Sequence, residues 1–124
     1  MGFYYNHITL VGRLTRDIEL QEYSPSFQQI RLTLAVQRPF KSDAGKYDAD
    51  FLPVLFNGKI ALTANKLLSK GTPILVWGRA QSRQYEKNSQ AMWITEIIAE
   101  NFQILQKLKG HENDPAIQEA LHSQ

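Results

Sequence analysis

Four side chains at alternate positions, Arg79, Gln81, Arg83 and Tyr85, carry the most specific chemistry in this sequence. In an extended strand, successive side chains point to opposite sides, so these four share one face. Ile74, Val76 and Ala80 then occupy the opposite, apolar face. Guanidiniums attract phosphates, and a ring with an open π-face stacks on a base of any identity, which is how sequence-tolerant proteins hold single-stranded nucleic acid. A charged strand face is equally an ordinary solvated surface, and this segment alone fits either use.

Catalytic chemistry has little support. Asp48 and Asp50 sit two apart, but in a polar hairpin with no nucleophile or metal-ligand pattern beside them. There is no cysteine, which excludes disulfides and thiolate metal sites, and His7, His111 and His122 are scattered. The expectation is a protein that is not an enzyme and needs no metal or cofactor.

At 124 residues the chain is long enough for one domain with its own core. No apolar run approaches the roughly 18 residues of a membrane span. The opening Met1-Gly2-Phe3-Tyr4-Tyr5-Asn6-His7 lacks the basic-then-apolar form of a signal peptide. A cytoplasmic protein with no membrane contact is expected. The net charge of +2 hides an asymmetry: residues 1–109 hold 14 basic against 9 acidic residues, a balance of +5, whereas 110–124 hold three acids and no Lys or Arg. That bias suits a polyanionic partner.

The elements that position the ladder follow from periodicity. Residues 8–11 begin a strand and meet Gly12, a place for a bulge or bend. Residues 23–26 read as a turn. Residues 29–38 alternate cleanly, with Ile30, Leu32, Leu34 and Val36 inward, until Pro39; residues 41–46 form a hairpin tip. Residues 50–56 form a third strand, with Leu52, Val54 and Phe56 opposite Phe51, Pro53 and Leu55. Over 59–70 the period becomes helical, with Gly71 placed as the C-cap. The ladder strand 74–85, a polar tip at 86–90 and a strand from 92 to 98 follow. Ile97, Ile98, Asn101, Phe102, Leu105 and Leu108 also fit a helical stripe, which leaves the end of that strand open. Phe27, Phe56 and Phe102 are expected in the core, Trp93 in a structural role or else near the path of a nucleic acid, and His7 at a surface or interface. Five strands with one helix between the third and fourth describe an all-β OB-fold, a Greek-key barrel. It spans 1–109, with a short polar tail at 110–124.

The residues also carry a resemblance. Asn6-His7-Ile8-Thr9-Leu10-Val11-Gly12-Arg13-Leu14 resembles the first strand of bacterial single-stranded DNA-binding proteins. So do Leu34-Ala35-Val36-Gln37-Arg38-Pro39-Phe40-Lys41, Asp50-Phe51-Leu52-Pro53-Val54 and Asn57-Gly58-Lys59. The likeness continues through Leu68-Ser69-Lys70-Gly71-Thr72, Gly78-Arg79, Ser82-Arg83-Gln84-Tyr85 and Thr95-Glu96, in consistent order over residues 6–105. It implies a non-catalytic OB-fold that assembles as a homotetramer and wraps single-stranded DNA without sequence preference. That activity serves replication, recombination, repair or DNA uptake, in the cytoplasm and associated with the nucleoid. The resemblance places stacking rings at Phe40, Phe51 and Tyr85, and phosphate contacts at Arg38, Lys41, Arg79, Arg83 and Lys87, with Arg13 and Lys59 beside them.

Three departures go with it. Asn57 stands where family members often carry another stacking ring. Trp77 occupies a usually polar position and suggests a subunit contact. The sequence ends Ala120-Leu121-His122-Ser123-Gln124, without the acidic tip through which such proteins recruit replication and repair enzymes, so recruitment by that route is not expected. These departures keep open a replication-restart partner of the same fold, a protein–protein adaptor with weaker nucleic-acid binding, and an RNA chaperone.

Overall fold

The clean alternation read around residues 29–38 is the backbone of the barrel. A computed structural model describes residues 2–106, and the chain runs β1 (Ile8–Leu14), β2 (Leu20–Ser24), β3 (Phe27–Lys41), β4 (Tyr47–Asn57), α1 (Lys59–Leu67), β5 (Pro73–Lys87) and β6 (Gln90–Ile104). On β3, Ile30, Leu32 and Leu34 are buried while Arg31 and Gln37 face out. The strands form one sheet in the order β1-β5-β6-β4-β3-β2, and β1 also pairs with β3 through Arg13↔Ala35 and Leu14↔Leu34. That last pairing closes five strands into a barrel, with β2 appended to the edge of β3. All neighbours are antiparallel except β4 and β6, which pair in parallel at Val54↔Ile97 and Leu55↔Ile98. A closed ring removes the free sheet edges that otherwise invite aggregation.

Phe56, Ile30, Leu34, Ile74, Val54 and Val76 are the largest apolar side chains fully enclosed. Phe102 packs edge-on against Phe56, centroids 5.4 Å apart. One face of α1, Ala61, Ala64 and Leu67, joins this core, so the helix is held by packing rather than by propensity alone. Closing the ring demands a close approach of β1 to β3: a Cβ at Gly12 would lie 2.5 Å from the Ala35 carbonyl oxygen. A Cβ at Gly78 would likewise run into the Ile98 carbonyl.

Several elements depart from the sequence reading. The helix ends at Leu67, not near Lys70, and Gly71 is not its cap. Leu68 turns extended to bury itself in the core. Gly71, at φ 86°, instead turns the following loop so that its N–H reaches the Leu14 carbonyl at 2.8 Å. β2 is an added short strand, and Phe27 is 39 % exposed rather than in the core. Trp93, at 68 % exposure, is not packed either, because it lies on a stretch of the β5–β6 hairpin that pairs with no third strand among the described residues. β6 runs on as strand to Ile104. The tail and the boundary near residue 109 lie outside the described residues. Among the described residues, no helix is long and apolar enough to cross a membrane.

Candidate nucleic-acid interface

Residues paired across neighbouring strands put their side chains on the same face, so the register assembles the outer surface row by row. One row is Arg31–Leu55–Ile98–Arg79, crossing β3, β4, β6 and β5. Gln81 pairs with Glu96, Arg83 with Ile94 and Tyr85 with Met92. On the other side, Ala35 pairs with Phe51. The ladder Arg79, Gln81, Arg83 and Tyr85 therefore shares one continuous outer face with Phe51, which is 65 % exposed. The tight hairpin that sets this register turns at Asn88 and Ser89, whose φ values of 52° and 64° match the right-handed twist of the strands.

Charge on this face is organised around one carboxylate. Glu96 is 1 % exposed, yet it accepts hydrogen bonds from Arg83 (Nε, 2.7 Å) and from Arg31 Nη1. Both guanidiniums remain about two-fifths exposed. The hydrogen bond to Glu96, helped by its charge, raises Arg83 above its already high value. Arg83 also lies 5.8 Å from the centre of the Tyr85 ring, holding ring and cation together. Arg79 donates to the Gln81 side-chain oxygen at 2.7 Å. Arg31 and the role of Glu96 were missed by the sequence reading. The signal was available: with a two-residue turn at 88–89, counting back along the hairpin puts Glu96 opposite Gln81 and diagonal to Arg83.

The remaining residues fall into separate places. Phe40 and Lys41 lie at the end of β3, where the register slips between Gln37 and Lys41 around Pro39, which has no N–H to give the ladder. Phe40 is exposed there, and Lys41 Nζ sits 5.7 Å from the centre of the Tyr47 ring. Arg38 is tied to Asp50 through Nη2 at 2.7 Å and Nε at 3.0 Å. That hydrogen bond, more than the charge itself, lifts Arg38 and holds the Asp50 carboxyl below its ordinary range. Lys87 is exposed beside the β5–β6 turn, and Lys59 is exposed at the first residue of α1. Arg13 lies across the β1–β3 closure, donating to the Gly71 carbonyl at 3.0 Å, and lines a cleft with Gln37 and Tyr47. The structure thus gathers Phe51, Arg79, Arg83 and Tyr85 on one face and puts Phe40, Lys41 and Arg38 on an adjoining hairpin. Phe3, Tyr4 and Tyr5 are also exposed, next to Asn6, whose side-chain amide bonds both backbone groups of Ala80 at 2.6 and 2.9 Å. Among the described residues, no group of three or more His, Cys, Asp or Glu could hold a metal.

A closed five-stranded barrel with a helix between its third and fourth strands is an OB-fold, and its open face of rings and cations places it in the oligonucleotide-binding class of that fold. A model of the single-strand binding protein family matches residues 5–105. The chain belongs to the single-strand binding protein family. It is 38 % identical over 118 residues to single-stranded DNA-binding protein 1 of Streptococcus pyogenes, covering 94 % of this chain and 90 % of that one. The single-stranded DNA-binding protein of Streptococcus mutans is 43 % identical over 109 residues, 86 % of this chain and 66 % of its own. Among solved structures, a Plasmodium falciparum SSB in complex with ssDNA aligns with TM-score 0.74 at 22 % identity, covering 86 % of this chain and 99 % of that one.

Proposed function

We propose that this chain binds single-stranded DNA without sequence preference and without catalysis. The observation that carries this reading is one outer face on which exposed Phe51 and half-buried Tyr85 stand among Arg79 and Arg83. Bases stack on the two rings, with Phe40 adding a third from the hairpin. Arg38, Lys41, Arg79, Arg83 and Lys87 take phosphates, and Arg13 and Lys59 extend the path at its margins. Each stacked base contributes about 1–3 kcal/mol, while phosphate contacts add a salt-sensitive part through counterion release. The reading includes a homotetramer, with half-buried Trp77 as a subunit contact, acting in the cytoplasm on strands exposed during replication, recombination, repair or uptake.

The test is a fluorescence titration, with Trp77 and Trp93 as reporters, against oligo-dT, oligo-rU and duplex DNA at several salt concentrations. Expected are quenching, preference for dT over duplex, and a linear fall of log affinity with log salt. Equal affinity for duplex and dT would overturn the reading. Light scattering on the same samples checks the tetramer.

Asp50 holds Arg38 partly out of use. Asp50→Asn is therefore expected to tighten dT binding several-fold and to steepen the salt slope by about 0.7, the value of one more phosphate contact on a single strand. An unchanged slope would remove Arg38 from the DNA path. The same pair is linked to acid stability. Because the folded Asp50 carboxyl lies below its ordinary value, its contribution is present at neutral pH and fades as pH falls through that lowered value.

A further inference from the structure

The outer face does not stop at Arg31. Toward β2 it continues into a cleft of about 360 Å³ lined by Arg16, Asp17, Glu19, Gln21, Tyr23, Gln29 and Arg31. Tyr23, 64 % exposed, stands beside Phe27 with ring centroids 6.0 Å apart and planes tilted by 32°. A row of amides crosses the same end, Gln21–Gln29–Asn57, in register over three strands. Gln29 Nε2 donates to Asn57 Oδ1 at 2.8 Å, which fixes which way those two amides point. Two open rings on a soluble surface are an apolar exposure that a binding partner would justify. A stiff amide row presents donors and acceptors together, which is the equipment that meets the edge of a base.

The charges here balance, unlike that of Arg79, whose partner is the neutral Gln81 amide. Arg16 and Arg31 line the cleft together with Asp17 and Glu19, and Arg31 is further engaged by Glu96. Asp17 accepts the backbone N–H of Lys70 at 2.7 Å. A site without net positive charge attracts a base better than a phosphate. Arg31 and Arg83 share Glu96, so the cleft is continuous with the face proposed above to carry DNA.

We propose that this cleft is a second base-binding subsite for the same single strand, with Tyr23 as its stacking ring and the Gln29–Asn57 amides contacting the base edge. The proposal rests on the DNA-binding reading and adds what the first face lacks, a base contact in a charge-balanced setting. Its signature is affinity without salt dependence.

The test uses the full chain with dT, dA and dC oligomers long enough to cross the whole face. Tyr23→Ala is expected to weaken binding about five- to 150-fold, the worth of one stacked base, with the salt slope unchanged. Gln29→Ala is expected to weaken binding of dT, dA and dC alike, again with the salt slope unchanged. Photocrosslinking with 5-iodo-dU oligomers is expected to mark the peptide that carries Tyr23. Wild-type affinity in Tyr23→Ala, with crosslinks only near Phe51 and Tyr85, would overturn the subsite and leave the DNA-binding reading standing. Absence of binding by the unmodified chain would instead remove the DNA-binding reading itself. Tyr23 is exposed, so its loss is not expected to disturb folding, and a thermal melt checks this.

Discussion

Phe51→Ala combined with Tyr85→Ala is expected to weaken oligo-dT binding by about 2–6 kcal/mol, because each ring stacks one base worth about 1–3. The effect is large because the two rings share the outer face with the arginines that hold the sugar-phosphate chain, so each loss comes from an already positioned strand. Phe51 is mostly exposed and makes little core contact, so its removal is expected to leave the melting temperature within a few degrees. Tyr85 also anchors the Arg83 guanidinium, so Tyr85→Ala is expected to cost slightly more than Phe51→Ala, by the ~0.5–1 kcal/mol of an exposed cation–π contact. Phe51→Tyr and Tyr85→Phe keep the rings and are expected to bind nearly as the unmodified chain does. Fluorescence titration at one fixed salt concentration measures all five variants. Full affinity in the double alanine variant, with an unchanged melt, would mean that the strand does not stack on this face.

That face was legible in the sequence wherever period 2 ran unbroken. Ile30, Leu32 and Leu34 alternate with Arg31 and Thr33, so β3 and its outward residues followed directly. Leu52, Val54 and Phe56 did the same for β4 and set Phe51 on the opposite face, which the structure shows to be the outer one. The ladder on β5 was read correctly because no bulge interrupts residues 79–85 on that strand. β6 was harder. Its register slips between Trp77 and Gly78, pairing Trp77 with Asn101 but Gly78 with Ala99, so Glu100 is an extra residue. Apolar positions then fall at 97, 99, 102 and 104, a spacing that imitates a helix. β2 left no alternation because only Leu20 of its five residues is even partly buried. Phe27 and Trp93 were misplaced for a common reason. A large ring in a strand marks burial only where a second layer covers that stretch, and both lie where the barrel ends. Glu96 was legible only through the register of the β5–β6 hairpin, which places it diagonal to Arg83, whereas Arg31 comes from a strand 65 residues away.

Glu96 carries the second large effect. Its carboxylate is enclosed, and what makes that enclosure tolerable is the pair of guanidiniums that bond it from β3 and β5. Glu96→Gln keeps the shape but turns an acceptor oxygen into an N–H2 group facing two cations. Removing one partner of a buried ionic contact typically costs 3–5 kcal/mol. Water still reaches both guanidiniums, so the lower end applies, about 3 kcal/mol, or a melting point lower by roughly 10–20 °C. A shift under about 2 °C would mean that the carboxylate is not what holds the two arginines together. The triple variant Arg31→Leu, Glu96→Leu, Arg83→Leu separates stability from binding. Replacing a whole buried ionic group by apolar side chains of similar bulk is often neutral or stabilising, so this variant is expected to melt close to the unmodified chain. Its affinity for oligo-dT is nonetheless expected to fall and its salt slope to flatten, because the phosphate-facing guanidinium of Arg83 is gone. If the triple variant both melted and bound like the unmodified chain, Arg83 would be scaffolding for the barrel surface and the phosphate path would have to run along the Phe40–Lys41 hairpin instead.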